Sequence, residues 1–267
     1  MPDSQEKQTF WEHLDVLRAA LLKIMAVVAV FFVVAFIFKD RLFSILLAPG
    51  CDDFATYRLL SSIAGMMTGN GVENFSVELI NTGLAGQFLV HMKMAFYAGI
   101  LCASPYMLYQ LFRFVSPALY ADERKYAVRV VGGGYIMSVA GVLLGYYLIF
   151  PLTFRFLGTY QVSADVANLI SLDSYMETLV MMCLAMAVVF EMPVLCWFFA
   201  KLGFLTDSYM RRYRRHAIVI ILIVAAVITP TSDVFTLAAV SLPMWLLYEA
   251  SIFLVRRSRK ETCPATE

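Results

Sequence analysis

Apolar residues fall along this chain in long unbroken runs, with no alternation and no single amphipathic stripe. Four runs, Ala19–Phe38, Phe88–Phe112, Val130–Phe150 and Met176–Ala200, reach spanning length. At about 1.5 Å per residue, a helix of about 20 apolar residues crosses a hydrocarbon core of roughly 30 Å. Each run is therefore predicted to be a membrane span. A last apolar region, Ala217–Val255, is interrupted by Thr229-Pro230-Thr231-Ser232-Asp233. A proline-centred polar cluster of this kind marks a turn. It divides the region into Ala217–Ile228 and Val234–Val255, and the pattern then predicts six transmembrane helices in one membrane domain, with a basic tail over 256–267. Ala217–Ile228 makes only about 18 Å of helix. Either its flanks snorkel or the bilayer thins around it.

Composition agrees with the runs. Of 267 residues, 61% are hydrophobic and 15% charged, with mean hydropathy +0.73. Soluble domains carry about 45–50% apolar and roughly 25% charged residues. These values exclude a soluble enzyme, a disordered regulator and a collagen-like fibre. A net charge of +1 supplies no field for nucleic acid. Charge placement is more informative than its sum. Lys7, Arg18 and Lys23, the group from Arg113 to Arg129, the group from Lys201 to Arg215, and the tail from Arg256 to Lys260 share one side. The other side holds Lys39, Arg41, Arg58 and Arg155, and Lys93 falls within the second run. The positive-inside rule then puts both termini in the cytoplasm. Asp3, Glu6, Glu12 and Asp15 precede the first run and no A-x-A-like site follows it. The run therefore reads as a retained span and not as a cleaved signal peptide. No internal repeat of the inverted-transporter kind stands out.

Little in the chain points to catalysis. Cys51, Cys102, Cys183, Cys196 and Cys263 lack metal-site spacing and read as small buried hydrophobes. Gly132-Gly133-Gly134 lacks the context of a phosphate loop and reads as a close helix-packing site. His13, His91 and His216 form no ligand pair. No cofactor, metal or enzymatic activity is expected.

Acids in unusual places carry the functional signal. Glu191 lies inside the fourth run, about 15 Å of helix from either end. An ionisable group at that depth faces a wet cavity or the bundle interior, or it stays protonated. Pro193 removes the donor to the carbonyl of Val189, so carboxyl and carbonyl together are expected to make a polar notch in a bent helix. Asp233 sits in the turn after the fifth run and reads either as a helix cap or as a functional acid. On the basic side, Glu12 and Asp15 are three residues apart on one helix face. Phe112 to Arg124 forms a loop that mixes aromatic residues with Asp122 and Glu123. Acids on an otherwise positive rim suit a guanidinium partner, although local salt bridges would account for them equally well.

Read in order, these segments resemble one family. His13-Leu14 with Leu17-Arg18, Ser104-Pro105-Tyr106-Met107-Leu108-Tyr109-Gln110 and Phe114-Val115-Ser116-Pro117-Ala118-Leu119-Tyr120 with Glu123-Arg124 are followed by Phe150-Pro151. Then come Phe190-Glu191-Met192-Pro193-Val194, Thr229-Pro230 with Asp233-Val234-Phe235, and Pro243-Met244 before Tyr248-Glu249. The set resembles TatC, the multi-spanning subunit of the twin-arginine protein translocase. The resemblance implies an all-α cupped bundle of six helices in the bacterial cytoplasmic membrane, with the last two spans shorter. It also implies that the chain binds twin-arginine signal peptides of folded precursors. TatA- and TatB-type single-span partners, self-association in a larger complex, and transport driven by the proton-motive force belong to the same expectation. Glu123, Phe114 and Pro117 match the family's signal-peptide loop, Glu191 its intramembrane acid, Asp233 its acid after the fifth span and Pro49 a proline in the first outer loop. Two places depart from the pattern. The family's acid before Leu-Arg is Val16 here, so Asp15 or Glu12 would have to replace it. Cys51–Val77 matches no family segment. The competing expectation is a small secondary transporter or proton-coupled channel using Glu191.

Overall fold

In a computed structural model of the chain, the structure describes residues 10–51, 54–68, 79–115, 124–160, 168–229 and 233–262. Helix α1 (Phe10–Ile37) carries the first apolar run up to Ile37, and α4 (Gly86–Val115) contains the second. The third is a composite of α5 (Arg124–Leu144), a π-helical segment (Gly145–Ile149) and α6 (Phe150–Thr159). The fourth is split into α7 (Leu172–Phe190) and α8 (Met192–Lys201). Helix α10 (Arg214–Ile228) carries the short fifth run, and α11 (Val234–Thr262) the last. Five of these stretches are long and apolar enough to cross a membrane. Helix α10, with 15 residues, is the short member of the six. Helix α11 counts 29 residues, because it continues as helix beyond the apolar stretch through Arg256 and Arg257.

Small elements close the two ends. On the side poor in basic residues lie α2 (Lys39–Leu47), a 3-10 turn (Ala48–Gly50) and α3 (Ala55–Thr68). There too β1 (Leu79–Ile80) pairs in parallel with β2 (Ile170–Ser171), Leu79 opposite Ile170. On the basic side, α9 (Asp207–Arg212) starts at Thr206, whose hydroxyl accepts the Tyr209 N–H at 3.2 Å.

Helix α7 is the axis of the bundle. Tyr175, Met176, Leu179, Met182 and Met186 are almost fully buried, and α7 packs on α4, α5, α6, α8, α10 and α11. In lipid, helices gain little from burying apolar area against one another, so close packing through small residues decides which faces meet. Gly141 of α5 supplies this contact. A Cβ there would stand 2.4 Å from the carbonyl oxygen of Met186, and one at Gly145 would stand 3.1 Å from Cys183 Cα. Only glycine lets the two backbones approach so closely. At about 100° per residue, three consecutive glycines cannot all face one neighbour. Accordingly Gly134 is buried against the Glu191 side chain, whereas Gly132 and Gly133 have open space at the Cβ position. The triplet is not a packing site as a whole.

Prolines within the spans free carbonyls that have no water to bond, and each such group costs several kcal/mol in hydrocarbon. Hydroxyls take up two of them. Pro105 leaves Leu101 O without its usual donor, and Ser104 Oγ donates to it at 2.8 Å. Pro151 does the same to Tyr147 O, which accepts from Thr56 Oγ1 of α3. Three tyrosines then tie the outer turn to the spans. The Tyr57 hydroxyl lies 3.1 Å from both Pro49 O and Pro151 O, Tyr146 donates to Ile45 O at 2.6 Å, and Tyr175 donates to Leu46 O at 3.1 Å. Phe54 stacks on Tyr147 with centroids 5.4 Å apart. Part of Cys51–Val77, α3 with Phe54, is therefore a brace on the third span beside its π-helical segment.

Gly141→Ala forces α5 and α7 apart and is expected to destabilise the protein by about 1–3 kcal/mol. Gly133→Ala faces open space and is expected to be neutral or slightly stabilising. Thermal unfolding of the two purified variants in one detergent measures the difference.

Candidate functional site

The break in the fourth span falls at Glu191 itself. Pro193 is the second residue of α8 and has no N–H for Val189 O, so α7 ends at Phe190 and α8 begins at Met192. The Glu191 N–H bonds back three residues, to Val188 O at 3.1 Å, which tightens the last turn. The side chain is half-buried. Its Oε1 is shielded and meets no hydrogen-bond donor among the described residues. Its Oε2 lies 2.7 Å from where a Cβ on Gly134 would stand. The floor beneath the carboxylate is thus the bare backbone of α5, and glycine at 134 makes the room. A carboxylate held this way has acceptor capacity left for a group arriving from outside the chain. Sequence reasoning found Glu191 and missed Gly134 as its specific neighbour, because the triplet does not say which glycine faces α7.

A second place lies on the basic side, where α1 meets the end of α4. Val16, Ala19, Ala20, Lys23, Gln110, Arg113 and Phe114 line a notch of about 220 Å³. Phe114 is half-buried there, and Gln110 is buried and bonds the Tyr106 hydroxyl. Val16 faces this notch, whereas Asp15 is exposed and is not part of its lining. The one-residue offset read from the sequence has a geometric counterpart, because adjacent helical positions point about 100° apart. Glu12 belongs to α1 one turn before Val16. The side chain of Glu12, together with Pro117 and Glu123, lies outside the described residues.

Asp233 acts as a cap. Its carboxylate accepts the Thr236 N–H at 2.8 Å and the Thr236 hydroxyl at 2.6 Å, at the start of α11. This is the geometry of an N-cap aspartate, with charge favourably placed at the positive end of the helix. Pro49 is buried in the outer turn. Of the residues singled out from the sequence, Val16, near Asp15, and Phe114 share the basic-side notch; Glu191, Asp233 and Pro49 each occupy separate places. Two ion pairs escaped sequence reasoning, Arg214 with Glu249 between α10 and α11 and Lys93 with Asp173 at 3.0 Å between α4 and α7. Their partners are 35 and 80 residues apart, so no local spacing rule could have joined them. Cysteines do not behave alike: Cys183 is buried, but Cys51 ends the outer turn exposed, and Cys102 is exposed along a cavity of about 320 Å³ between α2, α4, α5 and α7.

These features define a polytopic helical membrane protein whose fourth span is broken at an intramembrane acid, an arrangement that occurs in transport machinery. Comparison with known proteins defines which machinery. Residues 12–243 match the family model described as Sec-independent protein translocase protein (TatC). The chain is 34% identical over 256 residues to the Sec-independent protein translocase protein TatC of Desulforapulum autotrophicum, covering 96% of this chain and 87% of that one. It is 29% identical over 260 residues to the TatC of Blattabacterium sp. subsp. Periplaneta americana, covering 95% and 97%. Among solved structures it resembles the crystal structure of the twin arginine translocase receptor TatC, with TM-score 0.73 and 29% identity over 93% of this chain and 100% of that chain. The chain belongs to the TatC family and is a component of the twin-arginine translocase.

Asp233→Ala removes the cap and is expected to destabilise the protein by about 1 kcal/mol, while Asp233→Asn retains most of the stability. Thermal unfolding of the three forms separates capping from any effect of charge.

Proposed function

We propose that this chain is the signal-peptide receptor of its translocase, with both termini on the cytoplasmic side. The basic side, where α1 and α4 meet, is then the face that a precursor encounters first. Glu123 receives the guanidinium groups of the twin arginines, with Phe114 and Pro117 shaping the loop. Glu12 takes the part of the missing acid, since it stands four residues, about one helical turn, before Val16 in α1, and Asp15 contributes less. Each charge-assisted bond is worth roughly 1.5–3 kcal/mol when sheltered and about 0–1 when fully exposed. Selecting arginine over lysine therefore requires shelter and planar, bidentate geometry. The apolar part of the signal peptide follows the bundle into the membrane. Glu191 offers a polar contact there to the peptide or to a single-span TatA- or TatB-type helix. The chain carries no reaction of its own, and the proton-motive force drives transport by the assembled complex, in which further copies of this chain take part.

The observation that carries this reading is the Glu191 carboxylate, set at a helix break with an oxygen that no described donor meets. Such an arrangement is costly in a membrane unless a partner completes it.

Glu123→Lys is expected to weaken binding of a twin-arginine signal peptide by about tenfold or more, measured by titration of a fluorescent peptide into the purified protein at unchanged helical content. Unchanged affinity removes the docking claim. For Glu191, Gln keeps hydrogen bonding and Ala removes it; copurification of single-span partners is expected to persist with Gln and fall with Ala. Equal recovery with both variants ends the assigned role.

A further inference from the structure

We propose that the notch between α1 and the end of α4 is a binding site for one anionic phospholipid, held by its phosphate. Two chemistries meet there. Val16, Ala19, Ala20 and Phe114 give an apolar floor, and Lys23 and Arg113 stand over it as cations. Neither cation has an ion pair among the described residues, and no described carboxylate lines the notch. Its volume, about 220 Å³, is several times the roughly 30 Å³ share of a water molecule, so it admits a larger group.

Depth favours a lipid. Arg113 lies in the last turn of α4, at the boundary of the apolar run. Lys23 is four residues, about 6 Å, inside the start of the first run. That is a distance a lysine stem spans by snorkelling. Both charges thereby reach headgroup level on the side that carries most of the basic residues. Basic pockets between spans at this level suit anionic headgroups. Arginine engages phosphate through its planar fork and lysine as a point charge. An amphiphile uses both the cations and the apolar floor, whereas inorganic phosphate uses only the cations. If the receptor reading holds, the bound phosphate also offsets part of the positive charge of Lys23 and Arg113 beside the face that arginines approach.

The test needs no signal peptide, so its failure is distinct from failure of the receptor reading. The full chain is purified in mild detergent and titrated with phosphatidylglycerol or phosphatidylcholine under native mass spectrometry. One phosphatidylglycerol is expected to be retained in preference to phosphatidylcholine. Lys23→Gln with Arg113→Gln is expected to weaken it about thirtyfold, at about 1 kcal/mol per removed charge. Ala20→Leu, which fills the floor and keeps both charges, is also expected to weaken it. Arg211→Gln with Arg212→Gln, an equal loss of charge on α9, is expected to leave it unchanged. Equal retention by all variants, equal affinity for both lipids, or displacement by inorganic phosphate at matched concentration each overturns the proposal.

Discussion

The near-contact of two backbones, Gly141 of α5 and the Met186 carbonyl of α7, sets the geometry on which the rest of this bundle depends. Within lipid there is little to gain by hiding one apolar side chain behind another, so the helices that approach most closely define the frame. Because α5 lies against α7 at Gly141 and Gly145, it also passes close at Gly134, two turns earlier. That passage puts an open floor under Glu191. The intramembrane acid is therefore seated on a glycine seven residues from the main crossing, and no charged partner meets it among the described residues.

Backbone satisfaction is the second constraint. Each proline in a span creates a carbonyl that hydrocarbon cannot solvate. For Pro105 the adjacent serine supplies a donor from the same helix, and for Pro151 the donor comes from Thr56 on the outer cap. At Pro193 the helix is interrupted, and Glu191 occupies the interruption. The same residue type thus sits inside continuous helices in α4 and α11, beside a π-helical segment in the third span and at a polar break in the fourth.

The two ends of the molecule divide the work between them. The outer end is pinned by Tyr57, Tyr146 and Tyr175, whose hydroxyls meet main-chain carbonyls of distant segments. At the basic end α1 leans mainly on α4, and a notch is left between them.

Composition and run length by themselves determined the class of protein, the apolar runs and the special position of Glu191, because a bilayer imposes a length and a polarity that a linear reading detects. The proline after Glu191 likewise pointed to the place where the fourth span is interrupted. Other features were decided by the tertiary structure alone. Which glycine of 132–134 faces α7, whether Val16 or Asp15 turns toward Phe114, whether Asp233 caps a helix, and how α3 braces Pro151 all depend on helix rotation and on neighbours far away in the chain. Rotation changes by about 100° with each residue, and the pattern of a uniformly apolar helix carries almost no information about it. Only packing against a neighbour fixes that angle.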